Sequence, residues 1–380
     1  PGQNVLLDYQ YAYDNMSNIF SKVTEHGNYG YGYDDLYRLT NVDNPMFDDE
    51  AFTYDAVGNR LTAADTTGNW NYNQNNELGG YDDVSYNYDD NGNMIQKTVG
   101  GVVTNYIYNV ENRLAEVRDG SGSLIASYYY DPFGKRLWKD VGGERTYFHY
   151  ANEGLIGEYD ASGNEIKTYG YKPHSIWTTN PLFMKVGTEY YFYQNDHLGT
   201  PQKMVAVNGD VIWSAKYSSF GEGDVDTIST ITNNLYFPGQ YFDEETALHY
   251  NWHRYYDPRM GRYLITDPIG LVGGLNLYLY ALNNPINLLD PTGEGVIDFI
   301  KCAYYSVQVQ KYQETCKSEM GSSLEDECGF YAKYGGGSPS DAIMNCVNSK
   351  APDLYKKWIW ACFKGVFGPG SPVKPKPIQR

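Results

Sequence analysis

A short pattern, Tyr-x-Tyr-Asp or a close variant, recurs seven times in the first 131 residues and constrains the fold more than any other feature. Its Asp or Asn stands at Asp14, Asp34, Asp55, Asn73, Asp89, Asn109 and Asp131. Successive units are 16 to 22 residues apart, an even spacing that indicates an internal structural repeat. In five of the seven units a Gly, an Arg-Leu pair or both follow shortly afterwards. The chain therefore builds one small structural unit seven times.

Each unit has the chemistry of a β-hairpin. Tyr-x-Tyr places two aromatic rings on one face of a strand, because side chains alternate along it. Asp or Asn ends the strand and begins a turn through its own hydrogen bonds to the backbone. Gly supplies the positive φ of such a turn, and Arg-Leu-Thr begins the return strand. One hairpin is too small to bury its own apolar face, so we expect the units to stack side by side.

Composition supports a mainly β chain and excludes some functions. Its 380 residues include 40 Tyr and 40 Gly, a mixture that favours short strands and tight turns. The net charge of −18 argues against nucleic-acid binding by the main body. No apolar run has the length of a membrane span. The chain begins at Pro1, which indicates a piece of a longer protein whose export signal would lie upstream.

Two differently built regions meet near Gly293. All five cysteines (Cys302, Cys316, Cys328, Cys346 and Cys362) follow it. The residues after Gly293 carry a net charge of +2 and the residues up to it carry −20. We therefore predict a repeat wall over residues 1–194, a core module over 195–293 and a separate C-terminal tip over 294–380.

The repeats resemble the YD (Tyr-Asp) repeats of RHS proteins, teneurins and the C components of insecticidal toxin complexes. The core segment, which includes Asn195-Asp-His-Leu-Gly-Thr-Pro201, Leu248-His-Tyr-Asn-Trp-His-Arg-Tyr-Tyr-Asp257 and Asp290-Pro-Thr-Gly293, is similar to the RHS repeat-associated core domain. The resemblance implies a spiralling antiparallel β-hairpin sheet that forms part of a hollow shell, with the core as a plug. Seven repeats are too few to close a shell alone.

The resemblance also implies self-cleavage just after the Asp-Pro-x-Gly motif, in the manner of an aspartyl protease. The matching residues are Asp267, Asp290 and Arg254, with Asp257 behind them. Two carboxylates can divide acid and base roles when their pKa values differ, and an Arg can hold one of them ionised. The alternative is that Asp-Pro and Asp-Pro-x-Gly are ordinary turns. Glu294 stands where the family usually has Leu, which favours an intact bond.

The tip is predicted to be α-helical, with apolar residues at helical spacing from Val296 to Cys316. It contains no His, which disfavours Cys–His catalysis, and no Cys-x2-Cys pair, which makes zinc a weak prediction. Two disulfides plus a free thiol fit an exported protein better. The helix over residues 353–367 is basic and aromatic, so it contacts a membrane interface or packs in a small bundle. No cofactor is expected.

Two functions remain open from the sequence. The first is a secreted polymorphic toxin whose wall and core carry and protect the tip, with enzyme activity limited to self-cleavage. The second is an uncleaved structural YD-repeat protein that self-associates into an oligomer or filament. Both place the protein outside a bacterial cell or on its surface. In both, the partners are other copies or the YD repeats that precede Pro1.

Overall fold

The chain is almost entirely β-structure in the range that its structure, a computed structural model, describes, which is residues 6–295. This range forms 26 strands and two short 3-10 helices, Gly270–Val272 and Ala281–Asn283. Each strand pairs in antiparallel fashion with the next one along the chain, apart from breaks between three sheets. The expected mainly β, antiparallel hairpin fold is thus confirmed. The predicted helical tip lies outside the described residues.

The first sheet has six strands: β1 (Gln10–Tyr13), β2 (Ile19–Thr24), β3 (Gly27–Tyr33), β4 (Leu39–Asp43), β5 (Glu50–Tyr54) and β6 (Arg60–Ala63). The second has sixteen: β7 (Asn71–Tyr72), β8 (Leu78–Tyr81), β9 (Val84–Tyr88), β10 (Met94–Val99), β11 (Val102–Tyr108), β12 (Leu114–Asp119), β13 (Leu124–Tyr130), β14 (Arg136–Val141), β15 (Glu144–Ala151), β16 (Gly154–Tyr159), β17 (Glu165–Tyr171), β18 (Pro181–Val186), β19 (Glu189–Asn195), β20 (Pro201–Ala206), β21 (Val211–Tyr217) and β22 (Gly223–Val225). The third has four: β23 (Tyr241–Asp243), β24 (Leu248–Asn251), β25 (Arg254–Asp257) and β26 (Arg262–Tyr263).

The large sheet continues past residue 195, since β20 to β22 extend it to Val225. The division into residues 1–194, 195–293 and 294–380 stays a prediction of the sequence. None of the helices in residues 6–295 has the length and apolarity that a membrane crossing needs.

The Asp or Asn of every repeat closes its turn in the same way. In the third unit, Asp55 Oδ1 accepts the backbone N–H groups of Val57 at 2.9 Å and Asn59 at 2.8 Å. The other six units repeat both bonds. Three further turns, at Asp119, Asp160 and Asp196, have the same bonds. The sequence pattern missed these three because no Tyr-x-Tyr stands directly before their carboxylate.

The third residue after each of the seven repeat carboxylates or amides has a positive φ. Gly occupies it in three units, at Gly58, Gly92 and Gly134. The other four units place Ser17, Tyr37, Asn76 and Asn112 in the same left-handed conformation. The turn geometry is therefore set by the carboxylate or amide and is imposed even on residues that adopt positive φ at a cost.

The second tyrosine of a unit links it to the unit before. Tyr54 Oη donates to the carbonyl of Leu39 at 2.7 Å, and Leu39 begins the return strand of the preceding hairpin. The same bond recurs down the wall at Tyr33, Tyr108, Tyr130 and Tyr150. The rings thus pack in the core while the hydroxyls satisfy carbonyls, as buried tyrosines require.

The four strands of the third sheet, β23 to β26, pack on the inner, tyrosine-bearing face of the wall. Tyr250 and Tyr255 share one hydrophobic core with wall residues such as Tyr128 and Tyr130. Tyr250 Oη donates to Gly134 O and accepts the N–H of Arg136. The core segment is therefore joined to the repeat turns by both apolar contacts and hydrogen bonds.

Asparagines after β26 extend this attachment to the first repeats. Asn283 donates to Gly58 O and Asn284 to Tyr37 O, both at 2.8 Å. Asn287 Oδ1 accepts the N–H of Ile19 at 2.8 Å. These amides satisfy turn groups that would otherwise be buried without partners.

The two ends of the wall also meet. Tyr9 donates to Gln202 at 3.2 Å, His197 contacts the Tyr11 hydroxyl at 3.2 Å, and Lys203 pairs with Glu25. The segment from Tyr9 to Glu25 is therefore held against β20 and the turn that precedes it.

The wall–core contact contains a fully buried ion pair. The Arg136 guanidinium binds Asp243 through two nitrogens and lies over the rings of Tyr250 and Phe148. Burial favours the neutral acid, but the charges of Arg136 and Lys139 hold the pKa of Asp243 below its ordinary value. Arg136 and Asp243 satisfy each other's charge and hydrogen bonding, but water must be removed from both charged groups.

We expect Asp243→Leu to lower the free energy of unfolding by roughly 3–5 kcal/mol, because it leaves the Arg136 charge buried without its carboxylate. The double change Arg136→Leu with Asp243→Leu should recover most of that loss, since no charge is then left unpaired. Urea denaturation of the two variants and the parent measures both values. Equal destabilisation by the single and double changes would contradict this account.

Candidate functional site

The sequence-predicted residues Arg254, Asp267 and Asp290 meet in one buried cluster. Arg254 begins β25, directly after a two-residue turn whose first residue, Trp252, has a positive φ. Arg254 Nη2 lies 3.0 Å from Asp267 Oδ2 and 3.2 Å from Asp290 Oδ2. All three residues are at most 8% exposed. One guanidinium nitrogen therefore bridges two carboxylates that are 23 residues apart in the chain.

Arg254 is held in place by the rest of its surroundings. Its Nη1 donates to Leu277 O at 3.0 Å and its Nε donates to Gly293 O at 2.6 Å. The guanidinium carbon lies 3.5 Å from the centre of the Tyr263 ring, a cation–π contact. The fork geometry of Arg is thus used to bind two acids and two main-chain carbonyls at once.

Asp290 organises the chain that follows it. Its Oδ1 accepts the N–H of Gly293 at 2.9 Å and those of Glu294 and Gly295 at 3.2 Å. Its Oδ2 accepts Tyr263 Oη at 2.9 Å as well as Arg254. Five donors occupy a group that offers about four lone-pair sites, so Asp290 has no capacity for a further ligand.

Asp267 is less fully engaged. Its Oδ1 accepts the N–H of Ile269 at 3.0 Å and its Oδ2 contacts Arg254. Two donors leave acceptor sites on this carboxylate free for water. The two acids therefore differ in what they can do, although both contact the same arginine.

The pKa values of the acids respond mainly to burial. Burial raises the pKa of Asp267 and of Asp290 above the ordinary value, and the Arg254 charge opposes the rise in both. Burial together with the charges of Asp267 and Asp290 raises the pKa of Glu294. Burial lowers the pKa of His253 to about 4, so this imidazole is neutral at pH 7. Perturbed acids grouped in this way mark a candidate functional site.

The peptide bond between Gly293 and Glu294 lies within this cluster. Its carbonyl accepts from Arg254 Nε and its N–H donates to Asp290 Oδ1. Gly293 has a φ of +71°, and a Cβ on it would lie 2.6 Å from Asn251 O. Only glycine fits this close approach without a shift of the backbone.

Some predicted site residues lie elsewhere. Asp257 pairs with Lys97 at 2.8 Å and caps the N–H of Arg259, so its contacts belong to the wall attachment. Cys302, Cys316, Cys328, Cys346 and Cys362 and the helix over 353–367 lie outside the described residues. Among residues 6–295, no group of three or more His, Cys, Asp or Glu could hold a metal ion.

The sequence reading missed three residues that shape the cluster. Tyr263 binds Asp290 and stacks on Arg254, and Asn251 donates to Tyr263 Oη and to Asp290 O. His253 Nδ1 contacts Thr292 O at 3.0 Å and lies 3.6 Å from Glu294 Oε2. Asn251 and His253 lie within three residues before Arg254, and this closeness in sequence could have pointed to them. Nothing in the sequence singled out Tyr263, because tyrosine is so common in this chain.

Comparison with known proteins identifies the family. The family described as "Teneurin YD-shell" matches residues 2–286. The chain belongs to this family. The resemblance of the repeats to YD-repeat (RHS) proteins is thereby confirmed.

Several relatives of this YD-shell chain are named as toxins or nucleases. It is 30% identical over 319 residues to Double-stranded DNA deaminase toxin A of Burkholderia cenocepacia, covering 74% of this chain and 22% of that protein. It is 30% identical over 300 residues to tRNA(Glu)-specific nuclease WapA of Bacillus subtilis subsp. natto, covering 76% and 11%. It is 42% identical over 102 residues to toxin protein Tse5 of Pseudomonas aeruginosa, covering 27% and 8%. The chain thus spans less than a quarter of each relative's length.

Among solved structures, a crystal structure of TcdB2-TccC3-TEV matches with a TM-score of 0.46 and 17% identity. The match covers 75% of this chain and 18% of that one.

Gly293→Ala should destabilise the core by more than the strain of its positive φ alone, because the added Cβ meets Asn251 O. Gly163→Ala is a matched control, since Gly163 also has a positive φ, +81°, but open space around its Cβ position. We expect roughly 1 kcal/mol for the control and clearly more for Gly293→Ala. Chemical denaturation measures both changes. Equal losses of unfolding free energy in the two variants would show that the contact with Asn251 O adds nothing to the cost of the substitution.

Proposed function

We propose that this chain is the C-terminal part of a polymorphic-toxin-type YD-shell protein whose wall and core carry and protect residues 294–380, and that the core cuts the chain between Gly293 and Glu294. One observation supports the cleavage: the carbonyl of this amide accepts from Arg254 Nε and its N–H donates to Asp290, while Asp267 contacts Nη2 of the same arginine. The toxin names of several relatives support the cargo role.

The two acids would have different roles. Asp267 has free acceptor sites, so it takes a proton from a water molecule whose oxygen attacks the Gly293 carbonyl carbon. Arg254 Nε, 2.6 Å from the carbonyl oxygen, stabilises the negative charge that develops there. The C–N bond then breaks, the proton passes from Asp267 to the Glu294 nitrogen, and Gly293 becomes a C-terminal carboxylate. Asp290, whose oxygens are saturated, holds the amide in position.

The rest of the proposal concerns where the protein acts and with what. Toxin-type relatives support a secreted or cell-surface location. Within residues 6–295, β1 and β22 each pair on one side only, which leaves edges that another strand can extend. We assign the β1 edge to YD repeats that precede this chain or to another copy.

Glu294 favours a second function, an uncleaved structural YD-shell protein that self-associates. Its half-buried carboxyl stands beside Asp267 and Asp290, whose charges raise its pKa. A third negative charge next to a developing oxyanion would slow the reaction. In this alternative the Gly293–Glu294 bond stays intact and residues 294–380 remain attached to the wall.

Intact-mass analysis of the freshly folded 380-residue chain distinguishes the two functions. Cleavage predicts two fragments that separate between Gly293 and Glu294. Asp267→Asn should slow their appearance by at least about 100-fold, because an amide cannot accept the proton. Asp210→Asn, an exposed turn residue outside the site, should cleave like the parent. A single uncut mass for the parent chain at every pH would refute self-cleavage and leave the structural function.

The charge of Glu294 should slow the parent chain relative to Glu294→Gln, and should do so less in mild acid. Below its raised pKa the Glu294 side chain is neutral, and above it the negative charge opposes the oxyanion, whereas protonation of Asp267 slows both chains alike. The ratio of the Glu294→Gln rate to the parent rate should therefore fall toward one as pH falls through that pKa. Glu294→Gln removes the charge with little change in shape and should be faster than the parent at pH 7. Time courses of fragment release across pH 4 to 8 measure this. A Glu294→Gln profile that matches the parent would show that Glu294 has no influence.

A further inference from the structure

One core position of the repeat is occupied differently in two units. The fifth residue after the turn carboxylate or amide pairs with the second tyrosine and faces the interior. In five units it is apolar and at most 1% exposed: Ile19, Leu39, Leu78, Met94 and Leu114. In the third and seventh units it is Arg60 and Arg136. Both arginines are buried, so each brings a charge into a position built for an aliphatic side chain.

Arg136 is compensated by the core segment. Aromatic rings surround its guanidinium, and the carboxylate of Asp243 binds two of its nitrogens. This is the arrangement that a buried arginine requires.

Arg60 has the aromatic surroundings without the carboxylate. Its guanidinium carbon lies 4.4 Å from the ring centre of Phe52, 5.1 Å from that of Trp70 and 4.3 Å from that of Phe220. Its buried Nε has no hydrogen-bond partner, and no carboxylate in residues 6–295 forms an ion pair with it. The nearby acid Glu50 feels the charge of Arg60 from beyond ion-pair distance, and its oxygens accept the N–H and Oγ–H of Ser219.

A groove of about 550 Å³ opens beside Arg60, between the β5–β6 hairpin and the loops around β22. Its rim carries five further carboxylates: Asp48, Asp49, Asp65, Glu222 and Asp224. Arg259 also lines the groove and pairs with Glu222. The groove thus combines one unpaired buried cation at its wall with an excess of negative charge at its mouth.

We propose that this groove binds a carboxylate carried next to a cationic group, as in a basic amino acid or the C-terminal Lys or Arg of a peptide. The ligand carboxylate takes the place at Arg60 that Asp243 takes at Arg136. The neighbouring ammonium or guanidinium faces the acidic rim, which would repel a simple anion. This site is separate from the proposed cleavage and does not depend on it.

The parent chain can be tested without any substitution. L-lysine should bind in isothermal titration calorimetry and raise the melting temperature, because a ligand of the native state stabilises it. 1,5-diaminopentane, which is lysine without its carboxylate, should bind at least about tenfold more weakly, since it lacks the charged hydrogen bonds to Arg60. A Gly-Gly-Lys peptide with a free C-terminus, compared with its amidated form, distinguishes a peptide end from a free amino acid. Binding of either the free amino acid or the peptide end supports the proposal, provided that it requires the free carboxylate.

Arg60→Leu tests the residue itself. Leucine is the residue found at the same position in the second unit, so the variant should fold and should lose lysine binding. Arg145→Leu makes the same change at a more exposed arginine outside the groove and should bind like the parent. Equal binding of lysine and diaminopentane, unchanged binding by Arg60→Leu, or no binding by the parent in the low millimolar range would each overturn the proposal.

Discussion

Each of the seven repeat turns is closed by one side-chain oxygen that accepts two backbone N–H groups, those of the second and fourth residues after it. Asp55 shows the arrangement, and Asp119, Asp160 and Asp196 show that it persists where the tyrosines do not. Because this bond fixes the turn, it also fixes which residue of the return strand faces inward. The register within each repeat hairpin follows from it.

The residue at the inward-facing position of each unit contributes to stability in two ways. An aliphatic side chain there adds apolar burial, and its carbonyl receives the tyrosine hydroxyl of the next unit. Replacing it with arginine exchanges that burial for a charge that needs a partner. The core segment supplies this partner to Arg136 through Asp243, and the contrast with Arg60 defines the groove.

The cluster of Arg254, Asp267 and Asp290 uses the same elements in a different arrangement. Asp290 accepts successive backbone N–H groups, as the repeat aspartates do, but its second oxygen faces Arg254 and Tyr263. A turn motif thereby holds a peptide bond against an arginine and a second acid. The turn that Asp-Pro-x-Gly predicts is present at Asp290, and its role as a functional motif stays a prediction.

The sequence by itself determined the repeat, the hairpin and the mainly β fold, because local hydrogen bonding and side-chain alternation act over a few residues. Arg254, Asp267 and Asp290 were named from their resemblance to a family motif, and only the tertiary structure brings them into contact. Only the tertiary structure separated the roles of Asp267 and Asp290, since the number of donors around each depends on Tyr263 and on the backbone of residues 293–295. Likewise, Arg38-Leu39 and Arg60-Leu61 read as the same motif. In the structure they are offset by one residue, so that Leu39 faces inward in one unit and Arg60 in the other. Two things decided that difference: the number of residues from the turn, and the side chains that distant segments place beside each position.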